Sequence, residues 1–373
     1  MKHVNLWTDS YYDNLLKQLE EILQEQQKEV IAVICRRIKA VGEMNPTSAT
    51  QIARMVKFQN ADLKEIQRII QRTTNLTNAE IKKIFLQAAK DSRQYAAMLA
   101  DLAGQTDNAV SVARLAEIFA TTYTGEMFNI SQTYAFKTDG QLLTIRQQYV
   151  KAVNKAVTAV STGTMDYNTA IRQTVKDMAD SGVRVCHWDT GYSRRADSSI
   201  RMNVLDGVRN VNQTALRDAT DNYATGWEIS AHDLPAPDHA DIQGRQYTNE
   251  EYEALNATLE RPIGTLNCRH FAFPIVYGVS VPAYSEAELQ QKKTEAEKVY
   301  TWLGKKYTGY QCTQKQRAYE LALRKHKERR DALEAAGDAT GAREERRMIT
   351  RLNKEYKAFS AFVGLKPQYA RTA

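Results

Sequence analysis

The chain has 373 residues, 43% of them hydrophobic and 25% charged, with a formal net charge of +7 at pH 7. This composition excludes a disordered polymer, and at about 150 residues per domain it supplies core for roughly two or three units. No run approaches the roughly 18 consecutive apolar residues of a spanning helix, and the N-terminal MKHVNLWTDSYYDNLLKQLEEI lacks a secretory apolar core and cleavage site, so a cytoplasm-like compartment is expected.

Residues 9 to 43 read as one amphipathic helix, with Leu15, Leu19, Ile22, Leu23, Val30, Ile34, Ile38 and Val41 at three- and four-residue intervals. Gly42 and Asn45-Pro46 end it, and Thr47 or Ser48 can cap the next segment. Thr77-Asn78-Ala79-Glu80 has capping-box spacing before Ile81, Ile84, Phe85 and Ala88, which predicts a new helix there. Asp107 can cap a segment starting near Ala109, Gly125 punctuates it, and Thr138-Asp139-Gly140 is a turn before a helix over Leu142 to Ser161. Residues 1–180 are therefore expected to form a helical domain.

From Asp180 the texture changes. Gly182 to Trp188 alternates like a strand, and Asp197-Ser198-Ser199 can cap a helix through Ile200, Val204, Val208, Val211, Ala215 and Ala219. Thr225–Ser230, Gly244–Thr248 and His270–Val276 are further strand candidates, with a short helix over Asn249–Asn256. Five of the seven prolines lie between 235 and 282, so irregular backbone is concentrated here. A small α+β module over 181–283 follows.

Residues 284–373 read as a basic helical arm. Gly304 and Thr308-Gly309 interrupt it early, and Gly337 to Gly341 forms a turn between helices over Thr313–Ala336 and Ala342–Val363, an antiparallel hairpin. Residues 286–373 hold 20 Lys+Arg against 12 Asp+Glu, a net +8 that leaves −1 for the rest. At helical spacing Arg324, Lys327 and Arg330 share one face, and Arg343, Arg346 and Arg347 another; these six are the DNA-contact candidates, for sequence-independent attraction to duplex phosphates. The alternative use of the same charges is pairing with Glu320, Glu328, Glu334, Glu344 and Glu345, or with acidic protein partners. The fold class expected overall is mainly α with a small α+β module.

Chemistry concentrates in the module. The cysteines at 35, 186, 268 and 312 lack framework spacing, so reduced thiols are expected. Cys268 and His270 are two apart and share a face on an extended strand, with Arg269 on the other, while His232 and His239 lie on a loop able to fold toward them. His232, His239, Cys268 and His270 are the metal-ligand candidates, and the competing reading is a hydrogen-bonded polar core. No cofactor is expected, a structural zinc ion being the one exception those donors allow. No catalytic residue is assigned. A phosphate-cradling glycine loop is absent, and a Cys268 nucleophile with His239 or His270 as base needs convergence that spacing does not supply.

Several ordered blocks carry a family resemblance. They are Trp227-Glu228-Ile229-Ser230-Ala231-His232, His239 with Gln243-Gly244 and Tyr247, and Asn267-Cys268-Arg269-His270 with Pro274 and Gly278. Tyr284 to Leu289, Cys312 to Arg317 with Glu320, and Leu352 to Tyr356 with Phe359-Ser360 continue the series. In these the chain resembles the phage minor capsid protein 2 family and, more distantly, the Mu F-like head morphogenesis proteins. It departs from them at Asp233-Leu234-Pro235-Ala236, where a glycine-alanine-arginine run is usual, and at Ile242, where tryptophan is usual. The resemblance implies a structural minor capsid protein of a tailed phage, made in the host cytoplasm and carried in the virion. It further implies a place in the head interior near the portal, with portal and other head proteins as partners and a part in head morphogenesis and DNA packaging or ejection. No membrane is required, no appended toxin domain is expected and no enzyme activity follows. The alternative kept open is a DNA-acting, metal-dependent nuclease or hydrolase centred on the His/Cys cluster.

Overall fold

A computed structural model describes residues 9–42, 49–102, 104–105, 111–162, 167–265 and 268–372. In chain order these form α1 (Asp9–Gly42), α2 (Ala49–Leu102), α3 (Val112–Gln132), β1 (Tyr134–Thr138), β2 (Gln141–Thr144), α4 (Ile145–Thr162), α5 (Tyr167–Ser181), β3 (Arg184–His187), β4 (Tyr192–Arg195) and α6 (Ala196–Thr220). There follow β5 (Gly226–Ile229), β6 (Gln246–Thr248), α7 (Asn249–Thr258), β7 (Ala272–Ile275), α8 (Glu286–Glu297), β8 (Val299–Trp302), β9 (Lys305–Thr308), α9 (Gly309–Ala335) and α10 (Ala339–Val363). The fold is mainly α with a small α+β part, as the sequence predicts. Among the described residues no helix is long and apolar enough to cross a membrane.

By backbone contact the chain forms two compact units, each drawn from three stretches: 1–19, 78–126 and 200–315 in the first, 20–77, 127–199 and 316–373 in the second. The three consecutive segments expected from the sequence divide the chain by texture; contact groups it differently.

In the first unit, α2 supplies Ile81, Ile84, Phe85, Ala88 and Ala89 and α6 supplies Val204, Val208, Val211 and Ala215, all buried. Gly207 makes that helix packing possible, because a Cβ there would meet the Tyr123 and Phe85 rings at 2.6 and 2.7 Å. Asn212, fully buried on α6, accepts a hydrogen bond from Ser92 Oγ and donates to Tyr12 Oη at 3.5 Å, which fixes the mutual register of α1, α2 and α6. The three-stranded antiparallel sheet runs β6-β5-β7, with Trp227 opposite Tyr247 on one side and Pro274 on the other. Pro274 is tolerated because β7 is an edge strand and needs no second row of donors. Trp227, Ile229, Tyr252, Ile263, Cys268 and Ala272 form one buried cluster under this sheet.

In the second unit, α1 and α2 run antiparallel, joined by Arg36–Glu65, Arg37–Asp62 and Arg72–Glu29. A four-stranded antiparallel sheet has the order β2-β1-β3-β4. The α9 and α10 hairpin is antiparallel as expected: Gln316 bonds Ser360, Tyr319 packs on Phe359, and His326 bonds Glu345. Arg172, Lys176 and Asp180, one face of α5, pair with Asp338, Glu345 and Arg329 of that hairpin.

Four expectations need correction. The helix start predicted at Thr77 does not occur, because α2 runs unbroken through it and Thr77 is fully buried. The threonines just before it, Thr73 and Thr74, bond their own helix carbonyls at Ile69 and Ile70 instead of capping anything. Gly125 lies inside α3, whose first turn is held by Ser111 Oγ accepting from the Arg114 amide; Asp107, like Thr47 and Ser48, lies outside the described residues. Asp139-Gly140 is a turn, but it joins strands, with φ of 52° and 75°, the two positive angles a two-residue hairpin turn demands. The early interruption of the arm at Gly304 is likewise a hairpin, β8 to β9, and β4 was not foreseen.

Candidate functional site

The module's sheet leaves two irregular segments above its core: the turn between β5 and β6, and the stretch from α7 to β7. Both are fastened locally. Asn256 Oδ1 accepts from the Ile263 amide at 2.7 Å, and the Cys268 amide donates to Thr265 O at 2.7 Å. Asp238 takes both bonds of the Arg261 guanidinium end at 2.9 and 3.1 Å, and Lys293 of α8 holds Asp241 at 2.7 Å.

This clamping brings His239, Cys268 and His270 together, each no more than 2% exposed. Their donor atoms form a triangle: His239 Nδ1 to His270 Nδ1 is 3.2 Å, Cys268 Sγ to His239 Nδ1 is 3.4 Å, and Cys268 Sγ to His270 Nδ1 is 3.5 Å. Arg269 is exposed between its two buried neighbours, so the alternation expected of extended chain holds, although regular strand begins only at Ala272. His232 stands apart from the triangle. Its ring lies 4.3 Å from the His270 ring, centroid to centroid, and its Nδ1 faces the Asp233 carbonyl at 3.0 Å.

The far nitrogens of the two buried imidazoles are committed. His239 Nε2 faces the Arg261 carbonyl at 2.9 Å, and His270 Nε2 faces Gln243 Oε1 at 3.1 Å. The orientation of the Gln243 amide is not free, because the same Oε1 accepts from the His232 backbone N–H at 3.1 Å. Both Nε2 atoms are therefore donors, and in the neutral rings both Nδ1 lone pairs point at each other and at the sulfur.

Electrostatics follow from that crowding. Burial disfavours an imidazolium at His239, yet the Cys268 sulfur, Asp238 and the Arg261 carbonyl outweigh it and raise its pKa. Burial likewise pushes the Cys268 thiol up, but the His239 hydrogen bond and the Gly264 and His270 amides prevail and lower it. His270 goes the other way, driven down to about 2 by burial and by the neighbouring His232 and His239. The shifts of Cys268 and His239 thus run toward each other, because their contact favours charge on both, while burial keeps His270 neutral. Gln243 and the Arg261 carbonyl were not foreseen as site groups; the sequence signal was the Gln243-Gly244 pair placed four residues after His239, with Gly244 at φ +68°.

The basic candidates separate into two groups. Arg324 is 8% exposed and lies between Asp197 and Glu328, which removes it from any surface facing phosphates. Lys327 is half-buried against Thr372, and Arg330 is bonded to Asp331. Of their shared face on α9, only Arg324 is buried, while Lys327 and Arg330 are partly exposed and already engaged by neighbours, so the face is not the open basic surface expected. Arg343, Arg346 and Arg347 are exposed on α10, with Arg346 reaching Glu334 at 2.6 Å.

Comparison with known proteins gives a consistent picture. The family described as Phage minor capsid protein 2 matches residues 7–361. A protein named "Structural protein" from Lactococcus phage LL-H is 25% identical over 327 residues, which is 81% of this chain and 78% of that protein. No solved structure matches.

Proposed function

The chain belongs to the phage minor capsid protein 2 family and is a structural protein of a phage head, and from that premise we propose that it is held inside the head beside the portal, against packaged duplex DNA. The observation that carries the reading is the extent of the family match, from residue 7 to residue 361, which takes in both compact units rather than one motif.

A charged surface supports the DNA contact. Arg343, Arg346, Arg347, Arg351, Lys354 and Lys357 are all exposed on α10. At 3.6 residues per turn they fall on one side of the helix, over about 21 Å of its length. Glu345 is buried on the opposite side, and Glu355 flanks the stripe, bonded to Arg351. Such a stripe attracts phosphates without reading bases.

The reading assigns no catalytic step. Cys268 is enclosed with both imidazoles, so a substrate has no route to the sulfur without opening the module. A nuclease or hydrolase at the cluster is the second reading, favoured only by the convergence of three donors. Density for the chain in a virion map, lying within the head and touching the portal ring, is the expected result. Density on the outer shell would overturn the placement, and DNA cleavage by the zinc-loaded protein that is lost in His239→Ala would overturn the non-enzymatic reading.

A further inference from the structure

We propose that His239 Nδ1, His270 Nδ1 and Cys268 Sγ bind a single zinc ion that cross-links the two irregular segments of the module. Three observations converge on it. The first is the size of the triangle. A tetrahedral zinc with bonds of about 2.3 Å to sulfur and 2.05 Å to nitrogen sets its nitrogens about 3.3 Å apart and each nitrogen about 3.6 Å from the sulfur. The observed edges are 3.2 Å between nitrogens and 3.4 and 3.5 Å from nitrogen to sulfur.

The second is the direction of the lone pairs. Arg261 O and the Gln243 Oε1 pinned by the His232 amide make both Nε2 atoms donors, which leaves both Nδ1 atoms as electron-pair donors facing a sulfur that itself accepts from the His270 amide at 3.4 Å. Three acceptors converging in a dry interior are poorly satisfied by a single proton and well satisfied by one cation. The third is the outer shell. A ligating histidine ordinarily gives its other N–H to a carbonyl or amide oxygen, which fixes the tautomer and raises ligand basicity. Both histidines here do so.

The donor set selects the ion. One thiolate and two imidazoles suit zinc, whereas magnesium and calcium require oxygen ligands. Chain geometry gives the site its purpose: His239 sits in the β5–β6 turn, Cys268 and His270 lead into β7, and the backbone bonds at His239 and Cys268 are short turn bonds within each segment that do not join one segment to the other.

The test uses the full chain, produced with zinc, dialysed and assayed for metal, then stripped and titrated with Co2+. Stoichiometric zinc and a near-ultraviolet thiolate-to-cobalt charge-transfer band are expected; protein without zinc that also develops no such band would overturn the proposal. Cys268→Ser should lose the band while Cys312→Ser, a buried cysteine outside the triangle, keeps it. Because substitution of Cys268 risks misfolding, the wild-type chain supplies the second measurement: chelation should increase amide hydrogen exchange in residues 230–270 and zinc should restore protection, and no change on chelation would equally overturn the cross-linking role. Gln243→Leu, which removes the outer-shell acceptor, should weaken zinc about 10- to 100-fold, and Gln243→Glu should recover it.

Discussion

Asp338 shows how much a single side chain does in this fold. It accepts the Gly341 amide at 2.9 Å as the N-cap of α10 and takes the Arg172 guanidinium in two bonds of 2.6 and 3.0 Å. The Arg172 hydrogen bonds outweigh burial and hold its carboxyl below the ordinary aspartate range. A depressed folded-state pKa means the stabilisation is complete above the unfolded value, near 4, and fades as pH falls through the folded value. Asp338→Asn should therefore lower the urea midpoint at neutral pH, and the gap from wild type should shrink as the pH is brought below about 4. An unchanged gap in acid would mean the carboxylate is not the source. Gly341→Ala should also destabilise, despite alanine's helix propensity, since its Cβ would lie 2.6 Å from Asp338 Oδ2. Asp62 is the counterpart between α1 and α2: it receives two bonds from Arg37 and one from Tyr149 Oη, and both charged side chains are mostly buried. Asp62→Ala should cost about 3–5 kcal/mol in equilibrium unfolding, because it strands a buried guanidinium, and more than Tyr149→Phe, which removes one neutral donor at about 1 kcal/mol.

At the scale of the element, α10 is divided lengthwise. One side buries Tyr356, Phe359 and Glu345, and the other carries the six exposed lysines and arginines. Fluorescence anisotropy of the full chain with a short duplex should show weak, sequence-independent binding, with a log–log salt slope of about −0.9 for each phosphate contacted. Arg343→Glu with Arg347→Glu should flatten that slope, whereas the half-buried α9 residue Lys327, already bonded to Thr372, should leave it alone when changed to Gln. Binding that ignores salt would assign the stripe to acidic proteins. The same lengthwise division explains what sequence could and could not tell of the basic cluster. Spacing placed Arg324, Lys327 and Arg330 on a common face correctly, but a face rich in arginine reads as exposed unless its partners are known. Those partners, Asp197 and Glu328 for Arg324, include one more than a hundred residues away.

For the whole molecule, the two discontinuous units imply that consecutive fragments are not independent. Unit boundaries fall within α1, α2, α3, α6 and α9, and the 316–373 stretch is tied to α5 and β4 through Arg172–Asp338, Arg329–Asp180 and Arg195–Glu328. A fragment of residues 284–373 expressed alone should be cleaved rapidly by trypsin and lack dispersed amide resonances. A compact, protease-resistant fragment would instead support three consecutive domains.

Local sequence alone determined that the chain is mainly helical and marked four of the nine described strands, β3, β5, β6 and β7, because apolar period and turn residues act within a few positions of where they are written. It placed the 225–230, 244–248 and 270–276 strands, the helix capped by Thr248 and the α9–α10 hairpin close to where they stand. It also marked His239, Cys268 and His270, since alternation fixed the common side of the last two. Tertiary structure alone decided that Thr77 is core within one long helix, that Asp139-Gly140 turns a β-hairpin which pairs with a strand at 184–187, and that His232 stays outside the donor triangle. Each of these depends on partners far along the chain, where burial and hydrogen-bond satisfaction override local propensity.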